Sequence, residues 1–249
     1  MGFLSFFLNK PVAKKINLSK DEIPVHVAVI MDGNRRWAQK RNLPKVAGYK
    51  IGLEALRDIY NACIEFGIKY LTVYAFSTEN KFRPKDEVKY LEWLIVEAIN
   101  TEMNILHSKN VKIKFFGRIE EVNESIQNKI REIEDLTKNN EGLNLQVMYN
   151  YGGRAEIADA VKKILDLNKK FGDIKVDEKI IAENLYLSNI PDPDLLIRTG
   201  GDKRISNFLL WQIAYSELLF VDKLFPDFRR QEFLLALKDY SNRKRRFGK

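Results

Sequence analysis

The stretch HVAVIMDGNRRWAQK, residues 26–40, sets an apolar run from His26 to Met31 directly against an acid, a glycine, an asparagine, two arginines and a tryptophan. With Val25 in front, VHVAVIM is β-branched and almost free of polar side chains, the pattern of a strand buried on both faces. Such strands belong to parallel sheets covered by helices, so this short run already narrows the fold class. The charged turn after it marks where to look for chemistry, because ligands of open α/β sheets bind beyond the carboxyl ends of the strands.

Both directions from this strand repeat the same alternation. Val46, Ile51, Ala55, Leu56, Ile59, Cys63 and Phe66 recur at helical spacing, and Gly67 supplies a C-terminal stop. YLTVYAF (70–76) reads as a second strand and 86–107 as a long helix. VKIKFFG (111–117) ends a third strand, followed by a charged helix to about residue 139. LNLQVMYN (143–150) is a fourth strand, and YGGR turns into a helix over 154–169. Asp177 caps a short helix, DLLIR (194–198) and ELLFV (217–221) are the last two strands, and a final helix follows Arg229. Strands separated by helices imply right-handed crossovers. The expectation is therefore an α/β fold: a single domain with a mostly parallel central sheet of about six strands and helices on both faces. The expected division is an N-terminal segment over 1–22 and the folded domain over 23–249.

The chain has 249 residues, 45% of them hydrophobic, with a net charge of +8 and a sequence pI near 9.3. That content supports a full core and excludes global disorder. The charge favours acidic or phosphorylated partners. One cysteine, Cys63, and two histidines, His26 and His107, exclude a disulfide framework and a Cys/His zinc site. They also point to a reducing, cytoplasmic setting. Cys63 reads as core and His26 as a structural hydrogen-bonder. No apolar run is long enough for a membrane span. Two segments admit contact with a membrane surface, the patch from Phe3 to Leu8 and the basic run from Arg243 to Arg246. A helix-turn-helix signature or interleaved aromatics are missing, so nucleic acid is not an expected partner.

Three strand ends carry the polar residues. After the first come Asp32, Gly33, Asn34, Arg35, Arg36 and Trp37; after the second, Ser77, Thr78, Glu79, Asn80 and Arg83; after the fifth, Arg198, Arg204 and Ser206 around a glycine pair. Several arginine forks suit a diphosphate better than a lone carboxylate. Glycine permits close backbone approach, and a helix N-terminus after Gly33 would add its dipole. Asp32 and Glu217 are hard-oxygen ligands suited to Mg²⁺. The usual nucleotide fingerprints are absent, and the helices starting near Val46 and Asp86 are apolar enough to flank a groove, with a plain core as the default reading.

In matching order from His26 to Gly248, HVAVIMDGNRRWA, YLTVYAFSTEN, NYGGR, PDPDLLIRTGGDKRISNFLLWQIAYSEL and NRKRRFG resemble the cis-prenyltransferases of the undecaprenyl diphosphate synthase type. The resemblance implies a homodimer with a hydrophobic tunnel. It implies Mg²⁺-dependent, repeated condensation of isopentenyl diphosphate onto farnesyl diphosphate, and a long product that carries cell-wall precursors. It casts Asp32 as the catalytic aspartate and metal ligand, Asn80 as an aid to proton removal and Glu217 as a second metal ligand. Gly33, Asn34, Arg35, Arg36, Trp37, Lys45, Tyr49, Ser77, Thr78, Glu79, Lys81 and Arg83 fall at substrate-loop positions. Arg198, Arg204, Ile205 and Ser206 fall at the isopentenyl diphosphate positions.

Four residues depart from the usual pattern: Arg35 for a glycine, Lys45 for an arginine, Tyr49 for a histidine and Lys81 for a tryptophan. A phenol is a poor base at neutral pH, so Tyr49 weakens any imidazole relay. Arg35 adds charge beside a diphosphate. A shorter-chain synthase and a non-catalytic partner subunit of the same fold are the alternative readings.

Overall fold

Six strands form one all-parallel sheet in the order β3-β4-β2-β1-β5-β6. They are β1 (His26–Ile30), β2 (Tyr70–Ser77), β3 (Lys112–Phe116), β4 (Asn144–Tyr151), β5 (Leu195–Arg198) and β6 (Glu217–Phe220). The computed structural model describes residues 18–243; the patch from Phe3 to Leu8 and the basic residues from Lys244 onward lie outside the described residues. The helices are α1 (Asn34–Gln39), α2 (Lys45–Phe66), α3 (Lys85–Ser108), α4 (Glu124–Thr137), α5 (Gly153–Phe171), α6 (Glu178–Asn184) and α7 (Arg230–Ser241).

The strand HVAVI lies between β2 and β5, with Val29 opposite Val73 on one side and Ile197 on the other. All five of its residues are buried, as a central strand covered on both faces requires. Successive side chains go to opposite faces. Val27 and Val29 join the larger core, under α2, α3, α4 and α7. Ala28 and Ile30 join a second core with Leu187, Phe208 and Leu209. Helices thus cover both faces of one sheet and one domain, as the alternation implied. One crossover differs from the expected pattern. Between β5 and β6 the chain makes turns rather than a helix, and Ser206, Asn207 and Leu209 take positive φ there. Its Phe208, Leu209 and Ile213 are nevertheless buried, so it fills a helix's place on that face.

Helix ends follow local chemistry. Gly67 closes α2 in the left-handed region at φ 74°, and the Asp177 carboxylate accepts the Ile180 N–H at 2.9 Å to start α6. Cys63 is fully buried, and burial pushes its thiol up, which makes it an inert core residue.

His26 is also fully buried. Its Nδ1 lies 2.6 Å from the Pro191 carbonyl and its Nε2 2.7 Å from Thr72 Oγ1. Burial lowers its pKa to about 4, so the ring is neutral in the folded state. The unfolded chain binds a proton near pH 6.5 that the folded chain refuses, so stability from this residue is full above that pH and is lost as pH falls toward 4. The linked loss is on the order of 3 kcal/mol. Urea unfolding across this window will show a shallower decline for His26→Gln than for the wild type; equal slopes would place the pH dependence elsewhere.

Candidate active site

The carboxyl ends of β1, β2 and β5 meet at one cluster. Arg198 is the last residue of β5 and sits opposite Ile30, so its guanidinium emerges beside the turn that follows β1. It is only 4% exposed. Its Nη2 donates to Asp32 Oδ2 at 2.8 Å. Its Nη1 donates to the Arg204 carbonyl at 2.5 Å and to Ser206 Oγ at 2.7 Å. Arg36 Nη2 lies 3.1 Å from the other Asp32 oxygen. Burial pushes the Asp32 carboxyl up, but the Arg198 hydrogen bond and the Arg36 and Arg198 charges outweigh it and hold it below its usual value. Asp32 is therefore a carboxylate at neutral pH.

Asp202 belongs to this cluster, although the sequence reading passed over it. It accepts from Arg204 Nη2 at 2.6 Å and lies 3.7 Å from Arg36 and 3.6 Å from Arg198. Three arginines converge on two carboxylates, and two of their donors, Arg36 Nη2 and Arg198 Nε, are buried without a hydrogen-bond acceptor. An anion with several oxygens satisfies such donors.

The glycines act through clearance and backbone conformation. Gly33 has φ 113°, and a Cβ there would come 2.8 Å from Leu224 Cα. Gly200 has φ 89°, and a Cβ would come 2.6 Å from Arg36 Nη2. The glycine pair does not offer free N–H groups: Gly200 donates to the Lys223 carbonyl at 2.7 Å and Gly201 to Val221 at 2.9 Å. Helix α1 has only six residues, so the arginines supply most of the positive field and its dipole little.

A second polar cluster surrounds Glu87, also missed in the sequence. Its Oε1 accepts from Tyr49 at 2.9 Å, Arg83 at 3.2 Å and Arg35 at 3.3 Å. Lys45 lies 3.7 Å from Oε2. Arg35 thus pairs with α3 while also lining the cavity described below. Burial and Glu87 push the Tyr49 hydroxyl up to about 12, which rules it out as a base near neutrality. Asn80 Oδ1 accepts the Ser77 N–H at 3.2 Å in a capping box, so this amide oxygen is engaged. Glu79 accepts from Asn207 at 2.8 Å, while Asn207 Oδ1 accepts the Arg154 N–H at 2.9 Å. Asn207 ties the loops after β2, β4 and β5 together, and so accounts for the YGGR turn.

From these clusters a cavity of about 980 Å³ runs down the sheet between α2 and α3, at the upper end for ligand sites. Asp32, Gly33, Asn34, Arg35, Arg36, Tyr49, Ser77, Glu79, Asn80, Arg83, Arg198, Arg204 and Ser206 all line it. Its inner wall is apolar: Leu53 and Leu56 of α2, Leu94 and Ile95 of α3, and Leu145 and Val147 of β4. A plain core was the default reading of these helices; both do carry core residues such as Ile59 and Ile99, and their inward faces also border this cavity.

Six expected site residues lie elsewhere. Trp37 is buried and donates from Nε1 to Asp227 at 2.6 Å, with the Arg41 guanidinium 4.1 Å over its ring. It pins α1 to the turn at 225–227. Lys45 borders a smaller outer pocket, and Thr78 is off the cavity wall, its Oγ1 2.7 Å from where a Cβ of Gly152 would lie. Lys81 pairs with Glu121 at 3.1 Å, and Ile205 packs against the second core. Glu217 is not brought to Asp32 within this chain. It pairs with Leu195 at the opposite end of β5 from Arg198, about 10 Å along the sheet, and accepts from Arg243 at 3.0 Å. Among the described residues no group of three acids, histidines or cysteines is placed to hold a metal ion, and no helix is long and apolar enough to cross a membrane.

An arginine-lined anion site opening into a long apolar cavity, at the carboxyl ends of a parallel sheet, defines an enzyme class that handles a diphosphate with a hydrocarbon tail. The family model described as "Putative undecaprenyl diphosphate synthase" matches residues 30–248. The isoprenyl transferase of Aquifex aeolicus is 50% identical over 92% of this chain and 97% of its own length; that of Thermotoga maritima is 49% identical over 91% and 97%. Among solved structures, lavandulyl diphosphate synthase from Lavandula x intermedia, in complex with dimethylallyl diphosphate, has a TM-score of 0.89 at 33% identity, over 92% of this chain and all of that one. A probable undecaprenyl diphosphate synthase from Campylobacter jejuni has a TM-score of 0.78 at 34% identity, over 91% and 99%. The chain belongs to the undecaprenyl diphosphate synthase family of cis-prenyltransferases. It is an enzyme that transfers prenyl groups from isoprenoid diphosphates.

Asp202 occupies the arginines that an anion needs, so its neutralisation will strengthen binding. Calorimetric titration with inorganic pyrophosphate will give Asp202→Asn an affinity about five-fold above wild type, on the order of 1 kcal/mol. A weaker complex would mean that Asp202 helps to hold the anion.

Proposed function

We propose that this enzyme condenses isopentenyl diphosphate repeatedly onto farnesyl diphosphate, with Mg²⁺, to give a long-chain cis-polyprenyl diphosphate of the undecaprenyl type that serves cell-wall synthesis. The observation that carries this reading is the continuity of the arginine cluster with the apolar cavity. One end recognises diphosphate oxygens and the other shelters a chain that water would reject. Each added five-carbon unit buries about 100 Å² of apolar surface, worth on the order of 2–3 kcal/mol. A growing product therefore stays in the cavity rather than leaving after one addition.

The donor set suits a divalent cation held in part by substrate. Mg²⁺ takes one or two carboxylates and completes its shell with phosphate oxygens and water. Asp32, ionised and lining the cavity, would hold it, with Asp202 lining the same mouth. When bound, the ion neutralises charge on the leaving diphosphate.

The protein's own groups then divide the work. Arg36 stabilises the diphosphate as the allylic C–O bond breaks and negative charge gathers on oxygen. Arg198, Arg204 and Ser206 hold isopentenyl diphosphate with its double bond toward the electron-poor carbon. The double bond supplies the electron pair for the new C–C bond, and loss of a proton restores unsaturation. That proton goes to a diphosphate oxygen, since Tyr49 is too weak a base. Asn80 positions the loop through its bond to Ser77.

The decisive experiment supplies farnesyl diphosphate, labelled isopentenyl diphosphate and Mg²⁺, with and without a chelator. Labelled polyprenyl diphosphate is expected only with the metal; none in its presence would overturn the proposal. Arg204→Ala tests the division of sites, because Arg204 is exposed and does not hold Asp32. Its KM for isopentenyl diphosphate will rise about ten-fold, a loss near 1.4 kcal/mol, with that for farnesyl diphosphate nearly unchanged. Equal rises would show a shared site.

A further inference from the structure

Helix α1 brings Arg35 and Arg36 to the mouth of the cavity, yet it has only six residues. A helix that short does not hold itself in water, so its direction is set by what it packs against. One side lies so close to α2 that a Cβ on Gly48 or Gly52 would collide with Asn34. The other side meets the turn that follows β6. There Trp37, Ala38 and Leu224 form a small core of their own, with Ile51 packed at its edge.

The same turn reaches the anion site through its backbone. The Lys223 carbonyl accepts the Gly200 N–H at 2.7 Å, and the Phe225 N–H donates to the Asp32 carbonyl at 3.0 Å. Two residues further on, Asp227 supplies a polar anchor. Its Oδ1 accepts from Trp37 Nε1 at 2.6 Å, and Arg41 Nη2 donates to its two oxygens at 3.3 and 3.2 Å. Arg41 Nη1 also donates to the Trp37 carbonyl at 3.3 Å. Neither Asp227 nor Trp37 lines the cavity, so any effect they have on a bound diphosphate passes through α1.

We propose that Asp227 is a positioning residue for the diphosphate: by holding the Trp37 indole it fixes α1, and with it Arg36 beside Asp32. The inference rests on the diphosphate chemistry proposed above. Trp37 and Arg36 are neighbours in the chain, and neighbours in a helix point about 100° apart. Pinning the indole on the outer side of α1 therefore sets the direction in which Arg36 leaves the helix toward Asp32, 3.1 Å away. The bond to the indole carries this role. The pair with Arg41 joins two side chains that are each about two-fifths exposed, and such a pair contributes little. The turn after β6 thus sets the anion site twice, by backbone bonds to the residues at the strand ends and by the Asp227 carboxylate to the helix that carries the arginines.

The test titrates inorganic pyrophosphate calorimetrically into the full chain and its variants. Asp227→Ala will bind about ten-fold more weakly than wild type. Asp227→Asn keeps an amide oxygen for the indole N–H and will stay within about two-fold. Trp37→Phe will also lose about ten-fold, and the Trp37→Phe/Asp227→Ala double variant will bind no more weakly than Trp37→Phe alone, because one bond can be lost only once. Asp58→Ala is the control: it breaks the bond that Arg229 Nε donates to Asp58 at 2.5 Å, beside the same turn but away from α1, and will leave the affinity unchanged. In turnover, Asp227→Ala will raise the KM for farnesyl diphosphate, whose diphosphate Arg36 serves, and leave that for isopentenyl diphosphate within about two-fold. Unchanged affinity in Asp227→Ala, an equal loss in Asp227→Asn or Asp58→Ala, or additive losses in the double variant would each overturn the assignment. The expected pyrophosphate pattern without polyprenyl product from the wild type would instead overturn the reaction and leave the anchor standing.

Discussion

A guanidinium at the junction of two central strands has to be neutralised, and much of the surrounding structure follows from that requirement. Arg198 ends β5 beside β1 with almost none of its surface in water. Removing one partner from a buried pair of this kind costs about 3–5 kcal/mol, because the remaining charge is stranded. Asp32 meets the charge from the turn after β1, and Arg204 and Ser206 meet it from the turn after β5. Asp32 is fixed in its turn by its own backbone: its carbonyl accepts from Thr199 Oγ1 at 2.7 Å and from the Phe225 N–H at 3.0 Å. Gly200 then has to lack a side chain so that Arg36 can approach the same carboxylate. The anion site is thus a consequence of how the sheet ends. Arg198 Nε and Arg36 Nη2 stay buried there without a hydrogen bond, the latter 3.1 Å from Asp32.

The cavity has a matching explanation in the helices that flank it. Helices α2 and α3 are bridged by polar groups at both ends of their shared seam: Tyr49 to Glu87 near the mouth and Arg57 with Tyr60 to Glu102 at the far end. Between these bridges Leu53, Leu56, Leu94 and Ile95 line the cavity, while Ile59, Leu91 and Ile99 also belong to the core. Polar bridges allow two helices to stand apart at a fixed distance, whereas direct apolar packing draws them to contact. The space between the sheet and the helices is thereby kept for a hydrocarbon chain.

The fold was legible because its signals are local. The run from Val27 to Ile30, the helical spacing from Val46 to Phe66 and the stop at Gly67 each follow from nearest-neighbour chemistry, and every expected strand is present in the sheet. Asp32, Arg36, Arg198, Arg204 and Ser206 were legible as one cluster because strand ends place them, and all five line the cavity. Asp202 and Glu87 were not, since an acid in a charged loop and an acid in a helix's first turn look like solvated surface until Arg36 joins Arg198 and Arg204 on the one, and Arg35 and Lys45 join Arg83 on the other. Glu217 lies apart from Asp32 within this chain for the reverse reason. It stands at the start of β6, and a parallel sheet sends strand starts and strand ends to opposite edges. The α2 and α3 faces could not be told from core, because periodicity reports which side is apolar and says nothing about whether it is filled.

Arg35 and Tyr49, two residues read in the sequence as departures from the pattern it resembles, meet at one carboxylate in the structure. Both donate to Glu87 Oε1, Arg35 from α1 and Tyr49 from α2, while Arg83 donates to the same oxygen and to the tyrosine hydroxyl at 2.9 Å. A carboxylate shared by so many donors is held below its usual value against the upward push of burial. Its single negative charge offsets only one of Arg35, Arg83 and Lys45. The mouth therefore keeps a positive excess while its side chains are fixed in place. A neutral phenol in this network donates a hydrogen bond over the whole working pH range, where an imidazole would change charge near neutrality. Charge at the mouth then stays constant as pH varies, and with it the attraction for a diphosphate.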